Sequence, residues 1–211
     1  LRRHALGVLR MLIEKALPVS LNTLIDAAWE AEKAVPGVTD HREELRQFFQ
    51  DRLRVMLRDA GYTTLEVDAG LALNPEKLDE LPKRLAAVRA FMALPEAEAL
   101  TAANKRIGNI LKKIEGEVPT VVNEALLAED AEKQLFAAIN DVEPKALQHF
   151  AAGEYEQMLA TLAVLRGPVD SFFDNVMVNA EDPALRATRQ ALLKRLYDVM
   201  NKVAEIARLA K

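Results

Sequence analysis

The residues best suited to chemistry lie in the run Ala103 to Lys113, which holds Lys105, Arg106, Asn109, Lys112 and Lys113 with no acid among them. Advancing about 100° per residue along a helix, Leu100, Ile107, Ile110, Leu111 and Ile114 turn to one side while these five gather on the opposite arc. Lysine and arginine neutralise phosphates, and an asparagine amide can pair with a base edge, so this arc suits a nucleic-acid backbone. The same pattern also fits a solvated helix face whose C-terminal lysines complement the helix dipole. Asn104 sits nearer the apolar arc and is expected to cap or tie a neighbouring backbone.

Two arginines stand where a packed helix would carry leucines. Arg52 falls among Leu45, Phe48 and Met56, and Arg189 among Leu185, Leu192, Leu193 and Leu196. An arginine turned toward a core requires a carboxylate or carbonyl partner. Asp170 or Asp174 is the expected partner of Arg189, and structural pairing, weighed against RNA contact, is the expectation for both arginines. Arg186, at the edge of its stripe, is freer to meet a ligand.

No catalytic constellation accompanies these residues. The three histidines, His4, His41 and His149, are far apart, and there is no cysteine for a thiolate nucleophile, a disulfide or a zinc site. No phosphate-binding glycine loop or serine nucleophile motif is present. The pairs Glu43-Glu44 and Glu129-Asp130 read as solvated helix starts. No catalytic residue, metal ligand or bound cofactor is expected in this chain.

The elements that must position the basic arc are helices. Apolar residues recur at helical spacing almost throughout, and no alternating strand pattern or fixed-period repeat is visible. A helix reaching Leu17 stops at Pro18, Ser20 caps the next, and Asp40 or Thr39 caps a third that ends near Gly61. Thr64 to Leu73 reads as a short helix weakened by Gly70. Pro75 begins another, with Pro82 an irregularity in it. Pro95 opens the helix carrying the basic arc, which is expected to run through Ile114 and close at Gly116. A helix begun at Asp130 is expected to kink or divide at Pro144, and Gly167-Pro168 marks a later junction.

The last third is the most distinctive part. Val169, Phe172, Phe173, Val176 and Met177 fall at i, i+3, i+4, i+7 and i+8, the apolar stripe of a packed helix. Asp182 as N-cap and Pro183 in the first turn then open a closing helix expected to continue through Val203 and Ile206. Joined by a short Asn179-Ala180-Glu181 turn, the two predict an antiparallel C-terminal hairpin.

With 211 residues, 50% of them hydrophobic and 28% charged, the chain can bury a real core, and its composition excludes disorder and low-complexity repeats. We expect one all-α multi-helix bundle over residues 1–211, with sub-regions 1–93 and 94–211. A net charge of −4 excludes bulk electrostatic binding to nucleic acid, so any such contact must come from a local patch. No stretch approaches the ~20 apolar residues of a membrane span. The cysteine-free composition fits a reducing, cytoplasmic setting. The opening Leu1-Arg2-Arg3-His4, without an initiating methionine, reads as an internal point of a larger protein.

Several runs together resemble the C-terminal part of the beta subunit of bacterial tetrameric glycyl-tRNA synthetase. They are Leu1-Arg2-Arg3 with Ala5 to Arg10, Phe48 with Arg52, Gly61-Tyr62, and Phe91 with Leu94-Pro95-Glu96. The Ala103-Asn104-Lys105-Arg106-Ile107 run with Asn109 to Lys113, the Leu165-Arg166, Pro168-Val169-Asp170, Phe172-Phe173-Asp174 and Val176-Met177-Val178 runs, and Leu185-Arg186 with Arg189 complete the match. The resemblance implies an all-α anticodon-binding domain of the DALR type, contacting the anticodon arm of glycine tRNA. It places Lys105, Arg106, Asn109, Lys112 and Lys113 first among RNA contacts, with Arg186 behind. It also implies a partner alpha subunit in a hetero-oligomer, which carries the ATP and magnesium needed for adenylation. A helical scaffold that joins subunits without touching RNA is the competing expectation.

Overall fold

The structure, a computed structural model, describes residues 1–210. Among them every regular element is helical, and no helix is long and apolar enough to cross a membrane. The chain forms two compact units, the first Leu1–Leu85 and the second beginning at Ala86.

Unit 1 contains α1 (Arg2–Glu14), α2 (Leu21–Glu32), α3 (Arg42–Asp59), α4 (Thr64–Leu71), a 3-10 turn (Leu78–Glu80) and the first residues of α5 (Leu81–Met92). Leu9, Leu12, Phe49, Leu53, Leu57, Val67, Leu81 and Leu85 form its core. Ser20 caps α2 by accepting the Thr23 N–H. Thr63 and Glu66 form a reciprocal capping box on α4, each side chain accepting the other's N–H. The helix expected from Pro75 is irregular near Pro82: residues Leu78–Glu80 form a 3-10 turn and α5 begins only at Leu81, with Pro82 in its first turn, where a missing N–H is least costly. Gly70 has a packing reason rather than a weakening role: a Cβ there would lie 2.7 Å from Leu85 Cδ2.

In unit 1, α3 carries a row of arginines with distinct partners. Arg42 donates to Asp40 and Asp26 and lies over the Trp29 ring, Arg46 reaches Asp26, and Arg54 pairs with Asp68. Arg52 departs from the expected ion pair. Its guanidinium lies 5.3 Å from the Phe48 ring centroid, and its buried Nε has no hydrogen-bond partner among the described residues. Its contact is the aromatic face one turn back on the same helix.

Unit 2 is built around α6 (Ala97–Leu111) and α7 (Asp130–Ala151), followed by α8 (Tyr155–Leu162), α9 (Arg166–Asn175) and α10 (Pro183–Met200). The inward face of α6 is Ala97, Leu100, Thr101, Ala103, Asn104, Ile107, Gly108 and Leu111. Against it lie α10, α9 and the terminal 3-10 turn (Ile206–Leu209). A Cβ on Gly108 would meet Tyr197 Cε2 at 3.2 Å, and Asn104 Nδ2 lies 3.8 Å from Met200 Sδ. These two contacts run α6 and α10 antiparallel.

Several boundaries differ from the sequence expectation. α6 stops at Leu111 because Lys113 and Ile114 donate to carbonyls three residues back, tightening the chain into a turn before Gly116 at φ +85°. Pro144 stays inside one continuous α7; only the bond its N–H would have made to the Asn140 carbonyl is lost. α10 begins as expected, Asp182 accepting the Ala184 and Leu185 N–H groups. It ends at Met200 because Asn201 turns the chain, donating to the Tyr197 carbonyl and accepting the Ile206 N–H.

The expected C-terminal hairpin is corrected by the structure. α9 ends at Asn175; Val176 is extended yet still buried, and Met177 is 73% exposed, so the helix ends before the last two stripe positions and only Met177 leaves the core. Residues 176–182 connect the two helices, a longer link than the short turn expected. α9 and α10 have their main contacts with α6 and α7 rather than with each other. Phe172, fully buried, and the half-buried Phe173 meet edge to face at 5.6 Å.

Candidate nucleic-acid interface

With α6 buried along Leu100, Ile107 and Leu111, its remaining arc must face outward. Lys105, Arg106 and Asn109 are exposed on the helix, and Lys112 and Lys113 are exposed in the turn that ends it. None of the four cations has an ion-pair partner among the described residues. Elsewhere in unit 2 arginines are engaged: Arg195 with Glu143 and Asn140, Arg166 with Asp170, Arg208 with Glu205. A charge without an internal partner keeps its full capacity to neutralise a phosphate. The patch is bounded by the exposed Glu115 and Glu117 that follow it.

Arg106 is distinguished from the lysines by what lies beneath it. Its guanidinium carbon is 4.1 Å from the Phe173 ring centroid, closer than the Arg42–Trp29, Arg52–Phe48 and Arg195–Phe136 pairs at 5.6, 5.3 and 5.9 Å. The aromatic face attracts the cation without consuming any of its N–H donors. Asn104, the neighbouring amide, is fully buried; its Oδ1 accepts no hydrogen bond from the described residues, and it belongs to the α6–α10 packing.

The other sequence-predicted residues lie on α9, α10 and the segment joining them. Arg186 is half-buried and donates to the Ala180 carbonyl at 2.9 Å, so one end of its guanidinium is already engaged. Arg189 is only 5% exposed, and its partner is neither Asp170 nor Asp174. Its Nε pairs with Glu132 of α7, itself 0% exposed, and its Nη1 donates to the Met177 carbonyl at 2.7 Å. Asp170 instead lies 3.6 Å from Arg166, one turn back on its own helix, and Asp174 is exposed. The reason is position: Asp170 and Asp174 point away from the side of α9 that carries Val169 and Phe172 into the core.

Glu132 was not legible as a partner, although it left a signal. It stands at the third position of α7 behind Glu129, the spacing of a capping box, and its Oε2 accepts the Ala128 and Glu129 N–H groups at 2.9 and 2.8 Å. One carboxylate therefore caps α7 and, through Arg189, fixes the start of α10 and the Met177 backbone. Phe173 as the seat of Arg106 was also missed, since no spacing rule links residues so far apart. No group of acids, histidines or cysteines among the described residues could hold a metal ion.

An all-helical unit with an unpaired cationic helix face fits the class of helical nucleic-acid-binding modules. The pattern of the DALR anticodon binding domain matches residues 100–207, about half of the chain, and the chain belongs to that family. Residues 1–72 match the glycyl-tRNA synthetase beta subunit pattern. The two matches fall separately within units 2 and 1. Over 210 residues the chain is 60% identical to the glycine–tRNA ligase beta subunit of Leptothrix cholodnii, covering 100% of this chain and 29% of that protein. It is 55% identical to the beta subunit of Delftia acidovorans and 54% to that of Thiobacillus denitrificans, in each case over 100% of this chain and 30% of the relative. The chain thus spans less than a third of the length of these relatives.

Proposed function

We propose that the chain is the tRNA-binding module of a glycine–tRNA ligase beta subunit, docking the anticodon arm of glycine tRNA through the outer face of α6. The observation that carries this reading is the set Lys105, Arg106, Lys112 and Lys113, unpaired by any described residue and adjoining Asn109, within the segment that matches the anticodon binding domain. Contact at this remote site supplies binding energy that can position the acceptor end for chemistry elsewhere. The reading places adenylation, with its ATP and magnesium, on a partner alpha subunit in a cytoplasmic hetero-oligomer.

Replacing Lys105, Arg106, Lys112 and Lys113 together by glutamate tests it in a gel-shift titration with glycine tRNA. Each phosphate contact contributes about 0.7–0.9 to the slope of log affinity against log salt. The charge-reversed protein is expected to bind far more weakly and with a flatter slope, while its circular dichroism is unchanged. Unaltered affinity overturns the assignment. The competing reading, a scaffold that contacts protein rather than RNA, draws on an open apolar hollow of about 450 Å³ in unit 1, lined by Ile25, Ala28, Trp29, Leu45 and Phe48. That reading expects no RNA binding by either protein.

A further inference from the structure

We propose that Arg106 and Phe173 form a stacking platform that takes an unpaired nucleobase on the outer face of the Arg106 guanidinium; this rests on the RNA-binding reading of α6 and specifies one contact within it. The guanidinium carbon sits 4.1 Å from the ring centroid, so one side of the cation is against Phe173. Phe173 is itself held edge to face by Phe172, which is wholly buried, so the ring is a fixed seat. Arg106 is exposed and has no carboxylate partner among the described residues. A planar cation seated on a fixed ring loses little freedom when a second flat group stacks on it, and a guanidinium stacks on π faces where an ammonium does not. Lys105, Lys112 and Lys113 in the same patch are point charges suited to phosphates. Within this patch only Arg106 combines charge, plane and aromatic support. Sequence-specific RNA contacts commonly splay bases onto such aromatic or guanidinium planes.

The probe is an anticodon stem–loop RNA of glycine tRNA with 2-aminopurine at one loop position at a time, titrated with the 211-residue chain. One loop position is expected to change fluorescence on binding. Arg106→Lys, which keeps the charge but removes the plane, is expected to weaken binding roughly 5- to 150-fold, the range of one base stack, and to abolish that change. Phe173→Leu is expected to do the same, with circular dichroism reporting whether the half-buried ring also matters to folding. An abasic nucleotide at the responsive position should weaken the unaltered protein and leave Arg106→Lys unaffected. Arg106→Lys binding as tightly as the unaltered protein overturns the platform. In that case a triple reversal of Lys105, Lys112 and Lys113 identifies what failed: weakened binding leaves the RNA face standing without the stack, and unchanged binding removes both.

Discussion

Arg189→Met is expected to destabilise unit 2 by about 3–5 kcal/mol, the cost of removing one partner from a buried ion pair. Arg189 is 5% and Glu132 0% exposed, so neither charge has water as a substitute partner. The substitution removes the bond to Glu132 Oε1 and leaves the Met177 carbonyl without its 2.7 Å donor. Hydrogen bonds to charged groups contribute about 1.5–3 kcal/mol each, so the two losses reach the same range. Glu132 keeps the Ala128 and Glu129 N–H groups, which limits the damage at the α7 start. On a unit of this size the loss corresponds to a fall in Tm of roughly 10–20 °C. The only tryptophan, Trp29, lies in unit 1, so the transition is followed by far-ultraviolet circular dichroism in urea and on heating. Glu132→Gln should also destabilise. The double variant Glu132→Gln with Arg189→Met should lose less than the sum, by about 0.5–3 kcal/mol, because the second change removes a charge already stranded by the first. A loss below about 1 kcal/mol for Arg189→Met, or strictly additive losses, refutes the role given to this pair.

Gly70→Ala should destabilise unit 1 even though alanine is the better helix former, because its Cβ meets Leu85 Cδ2 at 2.7 Å and Leu85 is fully buried. Overpacking costs about 1–3 kcal/mol against a propensity gain near 1 kcal/mol, and a thermal melt followed by Trp29 fluorescence checks the sign. Asp40 titrates at about 2 rather than 3.8, held down first by the Arg42 side-chain hydrogen bond and then by the Arg42 backbone N–H. Because the folded value is depressed, the pair's contribution is fully present above about pH 4 and is lost as pH falls through about 2. A carboxyl NMR titration should find that midpoint, and Arg42→Met should return it toward 3.8; an ordinary midpoint in the unaltered protein counts against the pairing.

The all-α class was legible because apolar residues at helical spacing fill the chain and local rules operate within a turn or two. The same locality exposed the start of α10, where Asp182 and Pro183 act on neighbouring N–H groups, and the outward arc of α6, fixed once Leu100, Ile107 and Leu111 must be buried. The residues of the candidate interface could therefore be picked out by periodicity, and their resemblance to a known family added the class of ligand. Helix ends were less legible. Whether a cationic residue such as Lys112 continues a helix depends on competing backbone bonds of similar strength, and here the three-residue bonds of the following turn win.

What only tertiary structure decided is which distant side chain each buried or seated group meets. Sequence spacing showed that Arg189 needs a carboxylate, yet the partner is Glu132 on α7 rather than Asp170 or Asp174 near it in the chain. Arg52 rests on Phe48 without a carboxylate among the described residues, and Arg106 rests on Phe173, a pairing that only the packing of α9 on α6 creates. The expected hairpin gave way for the same reason: α9 and α10 bury their apolar faces against α6 and α7 rather than against each other. Periodicity is a property of one helix and is written in its residues. The choice of neighbour is a competition among all faces of the folded chain, and it is settled only when they pack.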